Sequence, residues 1–170
     1  MVSDPIRVLA GVSLAAFATL WLARWPSFPL VLDPYYHLFV AQQMLEAGGP
    51  IIYEWWEHAP IGRPHVYPPI LHLILATLLK AGLSPLDAIR LITAALPPLL
   101  LVSLYLAVRR LFTPSMALGC LWVAMLPFSF HLHSGVTLAA TLAMIELLWL
   151  LVAVEEARSV AAAVLLALLG

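Results

Sequence analysis

Cysteine is nearly missing from this 170-residue chain. Cys120 stands alone, which excludes a disulfide framework and a cysteine-based metal site and leaves it as a small hydrophobe expected inside an apolar span. Charge is scarce too. Only 10% of the residues are Asp, Glu, Lys or Arg, against about 25% in a soluble domain, so a water-facing globule is excluded. The formal net charge is -1 and no cluster of Lys or Arg occurs, which leaves nothing to hold a nucleic acid. No internal repeat or low-complexity tract stands out. What the chain has in quantity is apolar surface: 64% of the residues are hydrophobic and the mean hydropathy is +1.01. The expected class is an all-α polytopic membrane protein embedded in the lipid bilayer.

Apolar runs place membrane spans at about 6–23, 86–108, 116–130 and 136–154, with a further run over 159–170. The first is longer than a signal-peptide core of about 7–15 residues, and Ala23-Arg24-Trp25-Pro26 follows it in place of a small-residue cleavage site. It reads as a retained span whose far end is marked by Trp21 and Trp25 at the interface. The last run would rise only about 18 Å at 1.5 Å per residue, short of a hydrocarbon core about 30 Å thick. A chain stopping there is expected to be the N-terminal part of a larger protein, and these 170 residues are not expected to catalyse alone.

Orientation turns on the stretch 68–83, which is apolar but interrupted by His72 and Lys80. If it only dips into the membrane, Arg7, the Arg109-Arg110 pair and Arg158 all fall on the cytoplasmic side, as positive residues prefer. The N-terminus is then cytoplasmic, in a plasma or inner membrane if the source is prokaryotic. The loop 24–85 and the turn from His131 to Gly135 then share the outer face.

Within that outer loop, Asp33-Pro34 starts a helix over 33–47 that Gly48-Gly49-Pro50 closes. Gln42, Gln43 and Glu46 make its wet side, while Tyr36, Phe39, Val40 and Met44 are expected toward lipid, an interfacial helix. The Asp33 carboxylate can cap the helix, bind a divalent cation or act as a general base. Farther on, Trp55 and Trp56 lie between Glu54 and Glu57, a set able to stack on a sugar ring or to sit in an aromatic belt. Arg63 can grip a lipid phosphate or pair with Glu54 or Glu57. Glu146, near the middle of span 136–154, is an intramembrane carboxylate and therefore a candidate for function or for pairing inside the bundle.

Taken in order, a first span, Asp33-Pro34-Tyr35-Tyr36-His37 opening an outer helix, Gly62-Arg63-Pro64, Tyr67-Pro68-Pro69, a short apolar helix, a Pro-containing span, a basic pair and a second outer turn at Ser134-Gly135 form a series. It resembles the catalytic subunit family of the oligosaccharyltransferases, membrane glycosyltransferases of the GT-C superfamily. The resemblance covers nearly the whole chain but only the N-terminal part of such a protein. It implies the transmembrane portion of a GT-C-like fold and transfer of a glycan from a polyprenyl-linked carrier to an acceptor polypeptide on the outer face. By the same resemblance Asp33 is the catalytic carboxylate and a ligand for Mg²⁺ or Mn²⁺, with Arg63, Tyr36 and His37 toward the lipid carrier. The family places further acidic or His ligands after the glycine of the second outer loop. Here Gly135 is followed by Val136-Thr137-Leu138-Ala139-Ala140, so His131 and His133 are the nearest candidates, and imidazole suits Mn²⁺ or Zn²⁺ better than Mg²⁺. The alternative from another class is a non-catalytic membrane module or transporter fragment, whose polar residues are caps, belts and pairs within the bundle.

Overall fold

The computed structural model describes residues 4–29, 33–127 and 138–169; His131, His133 and the Ser134-Gly135 turn lie outside them. The chain is mostly helical, at 75%, with seven α-helices among the described residues. They are Pro5–Leu22 (α1), Asp33–Ala47 (α2), Ile70–Lys80 (α3), Pro85–Leu111 (α4), Pro114–Met125 (α5), Leu138–Glu155 (α6) and Ser159–Leu169 (α7). Three of these, α1, α4 and α6, are long and apolar enough to cross a membrane, which makes the chain an integral membrane protein by length and composition. The 12 residues of α5 and the 11 each of α3 and α7 rise only about 16–18 Å.

Three helices begin with one local device. A short polar side chain precedes a proline at the first helical position, where a missing N–H costs nothing. Asp4 accepts from the Ile6 amide at 3.1 Å, Ser84 from the Asp87 amide at 3.2 Å and Thr113 from the Met116 amide at 3.2 Å. At the other end of α2, Gly48 takes the left-handed conformation (φ +73°) and Gly49 N–H bonds back to the Met44 carbonyl at 3.0 Å. That is the helix stop expected from Gly48-Gly49-Pro50.

Helix α4 is the hub, packing against α1, α2, α3, α5 and α6. On its N-terminal half, Ala88, Ile89, Ile92 and Leu96 meet Leu38 and Ala41 of α2, Leu71 and Leu75 of α3, and Leu138 and Ile145 of α6. On its other half, Leu101 and Tyr105 meet Ala10 of α1 and Ala117, Leu118 and Leu121 of α5. Alanines at these contacts let helix backbones approach closely, the main source of association where lipid is as apolar as leucine. The opposite face of α6, with Met144, Leu147, Leu151 and Val154, is exposed. Cys120 lies on an exposed face of α5 and not in the interior.

Trp21 corrects the expected aromatic belt. It is 3% exposed and its indole N–H donates to the Thr93 carbonyl at 3.3 Å. The reason lies four residues on: Pro97 sits inside α4 and has no N–H to give Thr93, so that carbonyl is orphaned. Trp21 supplies the missing donor from another helix and packs on Phe28, whose own carbonyl accepts from Arg90 at 3.1 Å. Trp21→Phe, which keeps the ring and removes the donor, is expected to cost about 1–3 kcal/mol, measured as a lowered thermal midpoint in detergent.

Helix α2 also differs from expectation. Val40 and Met44 are buried within the protein, not turned to lipid, along with Leu38 and Ala41. The cause is α3, which folds back against α2 and takes the apolar side that lipid was expected to cover. Tyr35, Phe39 and Leu45 remain exposed. Between the two helices the chain forms a minimal antiparallel pair, Tyr53–Glu54 (β1) with Arg63–Pro64 (β2), in which Glu54 faces Arg63.

Candidate functional site

Asp33 is the first residue of α2, and its carboxylate reaches forward one turn. Oδ2 lies 3.4 Å from Nε2 of His37, and the Asp33 side chain is 36% exposed. His37 is buried and passes the connection inward: its Nδ1 is 2.9 Å from Nε2 of His72 on α3. Asp33 thus stands at the rim of a polar interior that the packing of α2 on α3 creates.

The other half of this interior comes from the β pair. Glu54 is completely buried yet surrounded by donors. Tyr36 Oη donates to its Oε1 at 2.7 Å, the Nδ1 of His65 bonds the same oxygen closely, and Arg63 Nε lies 3.5 Å from Oε2. Arg63 also pairs closely with Glu57 and donates to Tyr36 Oη at 3.4 Å. Tyr67 completes the cluster, its ring edge-on to His37 with centroids 5.3 Å apart and 5.5 Å from that of Tyr36.

Gly62 makes this convergence possible. It has φ +73°, and a Cβ there would lie 2.6 Å from Cε1 of Tyr53 and 2.8 Å from the Glu54 carbonyl oxygen. Only glycine lets the turn close so tightly over β1. Beyond it, Tyr53 and Trp55 rings lie 4.5 Å apart, Trp55 is exposed, and Trp56 packs edge-on against Phe39 of α2.

Electrostatics follow from burial. His72, on a helix outside the three long spans, is held down to about 3, first by burial and then by the neighbouring His37 and His65. His37 is also lowered, mainly by burial, although Asp33 pulls the other way. Burial pushes Glu54 up, but the hydrogen bonds from His65 and Tyr36 and the charge of Arg63 outweigh it, and its carboxyl lies below the ordinary value. Tyr36 is raised by burial and by its bond to Glu54. At neutral pH the interior therefore holds neutral His37 and His72 beside an ionised Glu54.

A pH dependence of stability follows. His72 has an ordinary value of 6.5 and a folded value of about 3, so between these the unfolded chain binds a proton that the folded chain refuses. Its contribution to stability is complete above pH 6.5 and is lost as pH falls toward 3; His37 acts with the same sign. Thermal midpoints in EDTA are expected to fall between pH 6.5 and 5, above the ordinary value of 4.5 for Glu54, and to fall less steeply in His72→Gln.

Of the residues the sequence singled out, the fold brings Asp33, Tyr36, His37 and Arg63 into one connected cluster. Glu146 is buried on α6. Glu54, His65 and His72 were not chosen as site residues, and they form the centre. The signal for His72 was a lone imidazole in an otherwise apolar helix. For Glu54 it was an acid facing Arg63 across the turn, visible only once the strands pair. The Mg²⁺ or Mn²⁺ that the family resemblance implies needs a cage of oxygen ligands. Among the described residues no group of three or more His, Cys, Asp or Glu side chains is placed to hold a metal ion; of the expected ligands only Asp33 is described, and His131 and His133 lie outside the described residues. In comparisons with known protein families, curated proteins and solved structures, the chain matches none.

Proposed function

We propose that this protein is a membrane glycosyltransferase, similar to the oligosaccharyltransferase catalytic subunit, that moves a glycan from a polyprenyl-(di)phosphate carrier to an acceptor polypeptide on the outer face. The observation that carries the reading is the position of Asp33. Its carboxylate is half-open to the surface while His37 engages one oxygen from behind. A carboxylate held this way can accept a hydrogen bond from an acceptor amide and take its proton as the glycan is transferred. Buried neutral His37 fixes the direction in which the free oxygen points. In this reading the loop 24–85 faces outward and the N-terminus lies in the cytoplasm, which keeps Arg7, Arg109 and Arg110 on the inner side.

Arg63 supports the reading less directly. Its guanidinium is tied to Glu57 and approached by Glu54, which leaves only part of its fork for a phosphate. That pairing favours a second reading, a non-catalytic membrane module in which the polar cluster fastens the outer loop to the helices.

Asp33 separates the two. Asp33→Asn keeps size and hydrogen bonding but removes the base, and transfer by the protein in its native membrane is expected to fall by about 10²–10⁴, with membrane insertion unchanged. Full transfer activity in that variant would leave Asp33 as a helix-terminal partner of His37 and favour the second reading.

A further inference from the structure

Successive side chains of a strand point to opposite faces, and a ribbon in water keeps its polar face outside. In the β pair the two faces are reversed. Glu54, Arg63 and His65 turn toward the cluster described above, where Glu54 is completely buried. The charged side chains between Gly49 and Ile70 are Glu54, Glu57 and Arg63, and Arg63 is paired with both acids. The other face carries Tyr53, Trp55, Pro64 and Val66. Trp55 is 67% exposed and Val66 69%, while Ile52 and Ile61, at the two ends of the ribbon, are 86% and 75% exposed. These side chains are held together as one surface. The His65 N–H donates to the Ile52 carbonyl at 3.0 Å, the Tyr53 and Trp55 rings lie 4.5 Å apart, and the Tyr53 hydroxyl donates to the Ile61 carbonyl at 2.7 Å. A single exposed isoleucine is ordinary, but a shared apolar face marks a surface that something covers.

We propose that the apolar face of this ribbon docks on the lipid bilayer, lying in the interface between headgroups and acyl chains. Three observations favour lipid as the occupant. The chain already carries three helices long and apolar enough to cross a membrane, so the bilayer is present beside the ribbon without any partner having to arrive. The apolar surface also continues onto α2, because Trp56 packs edge-on against Phe39, and Phe39 and Tyr35 are exposed in their turn. Finally, the face has the chemistry of an interfacial anchor. It joins aromatic rings to branched aliphatic side chains, with the indole N–H of Trp55 left to reach a headgroup oxygen. It carries no charged side chain, and the Tyr53 hydroxyl is engaged by Ile61. A protein partner calls for a polar rim and about one hydrogen bond per 100–200 Å², which these side chains do not offer. The proposal is independent of the glycosyl-transfer reading, since it rests on the exposed face of the ribbon and not on Asp33.

The test is fluorescence quenching in the full chain, held in phosphatidylcholine nanodiscs so that both membrane faces are open to solvent. With Cys120→Ser in the background, one introduced cysteine carries an environment-sensitive fluorophore. Ile61→Cys and Val66→Cys label the ribbon. Glu156→Cys, at the exposed charged turn between α6 and α7, is the water reference. Both ribbon labels are expected to emit to the blue of that reference, to be shielded from iodide and to be quenched by nitroxide-labelled lipid. Adding Ile52→Asp and Trp55→Asp, which alter no group of the inner face, should return the Ile61→Cys label to water, with a circular-dichroism spectrum like the parent's establishing that the variant is folded. Emission and iodide quenching equal to those of Glu156→Cys would overturn the proposal. Shielding from iodide without nitroxide quenching would also overturn it, because a protein surface or a second copy would then cover the face. A label that stays in lipid when Ile52 and Trp55 are aspartate would do the same, since the fold and not the apolar face would hold the ribbon there. Transfer activity in Asp33→Asn decides the glycosyl-transfer reading and moves none of these signals.

Discussion

Glu54→Leu is expected to destabilise the polar cluster between α2, α3 and the β pair by about 3–5 kcal/mol, the cost of removing one partner from a buried charge pair. The carboxylate is fully buried and gathers donors from three segments: Tyr36 on α2, His65 after β2 and Arg63 on β2. Leucine fills the space but accepts no hydrogen bond. It strands the Tyr36 hydroxyl and the His65 Nδ1–H, while Arg63 keeps Glu57. Glu54→Gln retains one carbonyl oxygen for Tyr36 or His65 and should lose about 1–2 kcal/mol. Thermal unfolding in detergent, followed together with protease cleavage of the loop between Gly48 and Pro69, reads both. Equal midpoints for the two variants would mean that Glu54 is not the centre of the network.

The damage is expected to stay local. The contacts that Ala88, Ile89 and Leu96 of α4 make with α2, α3 and α6 do not involve Glu54, so helix content should survive in Glu54→Leu. Cleavage should rise in the loop first, since regions with few apolar contacts open with the least free energy.

The long spans α1, α4 and α6 were legible because lipid imposes a simple rule of long apolar runs, whereas the run expected to span at 116–130 forms the 12-residue α5. The faces of α2 were not legible. Its apolar residues Leu38, Phe39, Val40, Ala41 and Met44 run around the helix, so sequence spacing alone could not decide between lipid and α3. Trp21 misled because the belt rule for tryptophan is general, whereas its donation to Thr93 answers a defect created by Pro97 in another helix. The candidate site was half legible. Asp33, Tyr36, His37 and Arg63 stood out by type and order. Glu54, His65 and His72 are brought together by the antiparallel register of Glu54 with Arg63 and by α3 folding onto α2, and neither event leaves a local mark. His131 and His133 lie outside the described residues, so how they relate to Asp33 belongs to the proposed function alone.

Two glycines share one backbone conformation and predict opposite outcomes. Gly48 and Gly62 both have φ +73°, but nothing lies within 4 Å of a Cβ built on Gly48, while one on Gly62 would stand 2.6 Å from Cε1 of Tyr53, 2.8 Å from the Glu54 carbonyl oxygen and 3.2 Å from the Trp55 Cα. Alanine costs roughly 1–2 kcal/mol at either position for the left-handed conformation. At Gly62 the contact is added, and two of the three atoms met are backbone atoms of β1 and the residue after it, which cannot move without breaking the pairing of Glu54 with Arg63. Gly62→Ala is therefore expected to lose about 3 kcal/mol or more, since overpacking adds roughly 1–3 kcal/mol, against about 1 kcal/mol for Gly48→Ala. Equal losses of stability in the two alanine variants would mean that conformation alone requires glycine at 62, and that the close packing of the turn on β1 does not hold the cluster together.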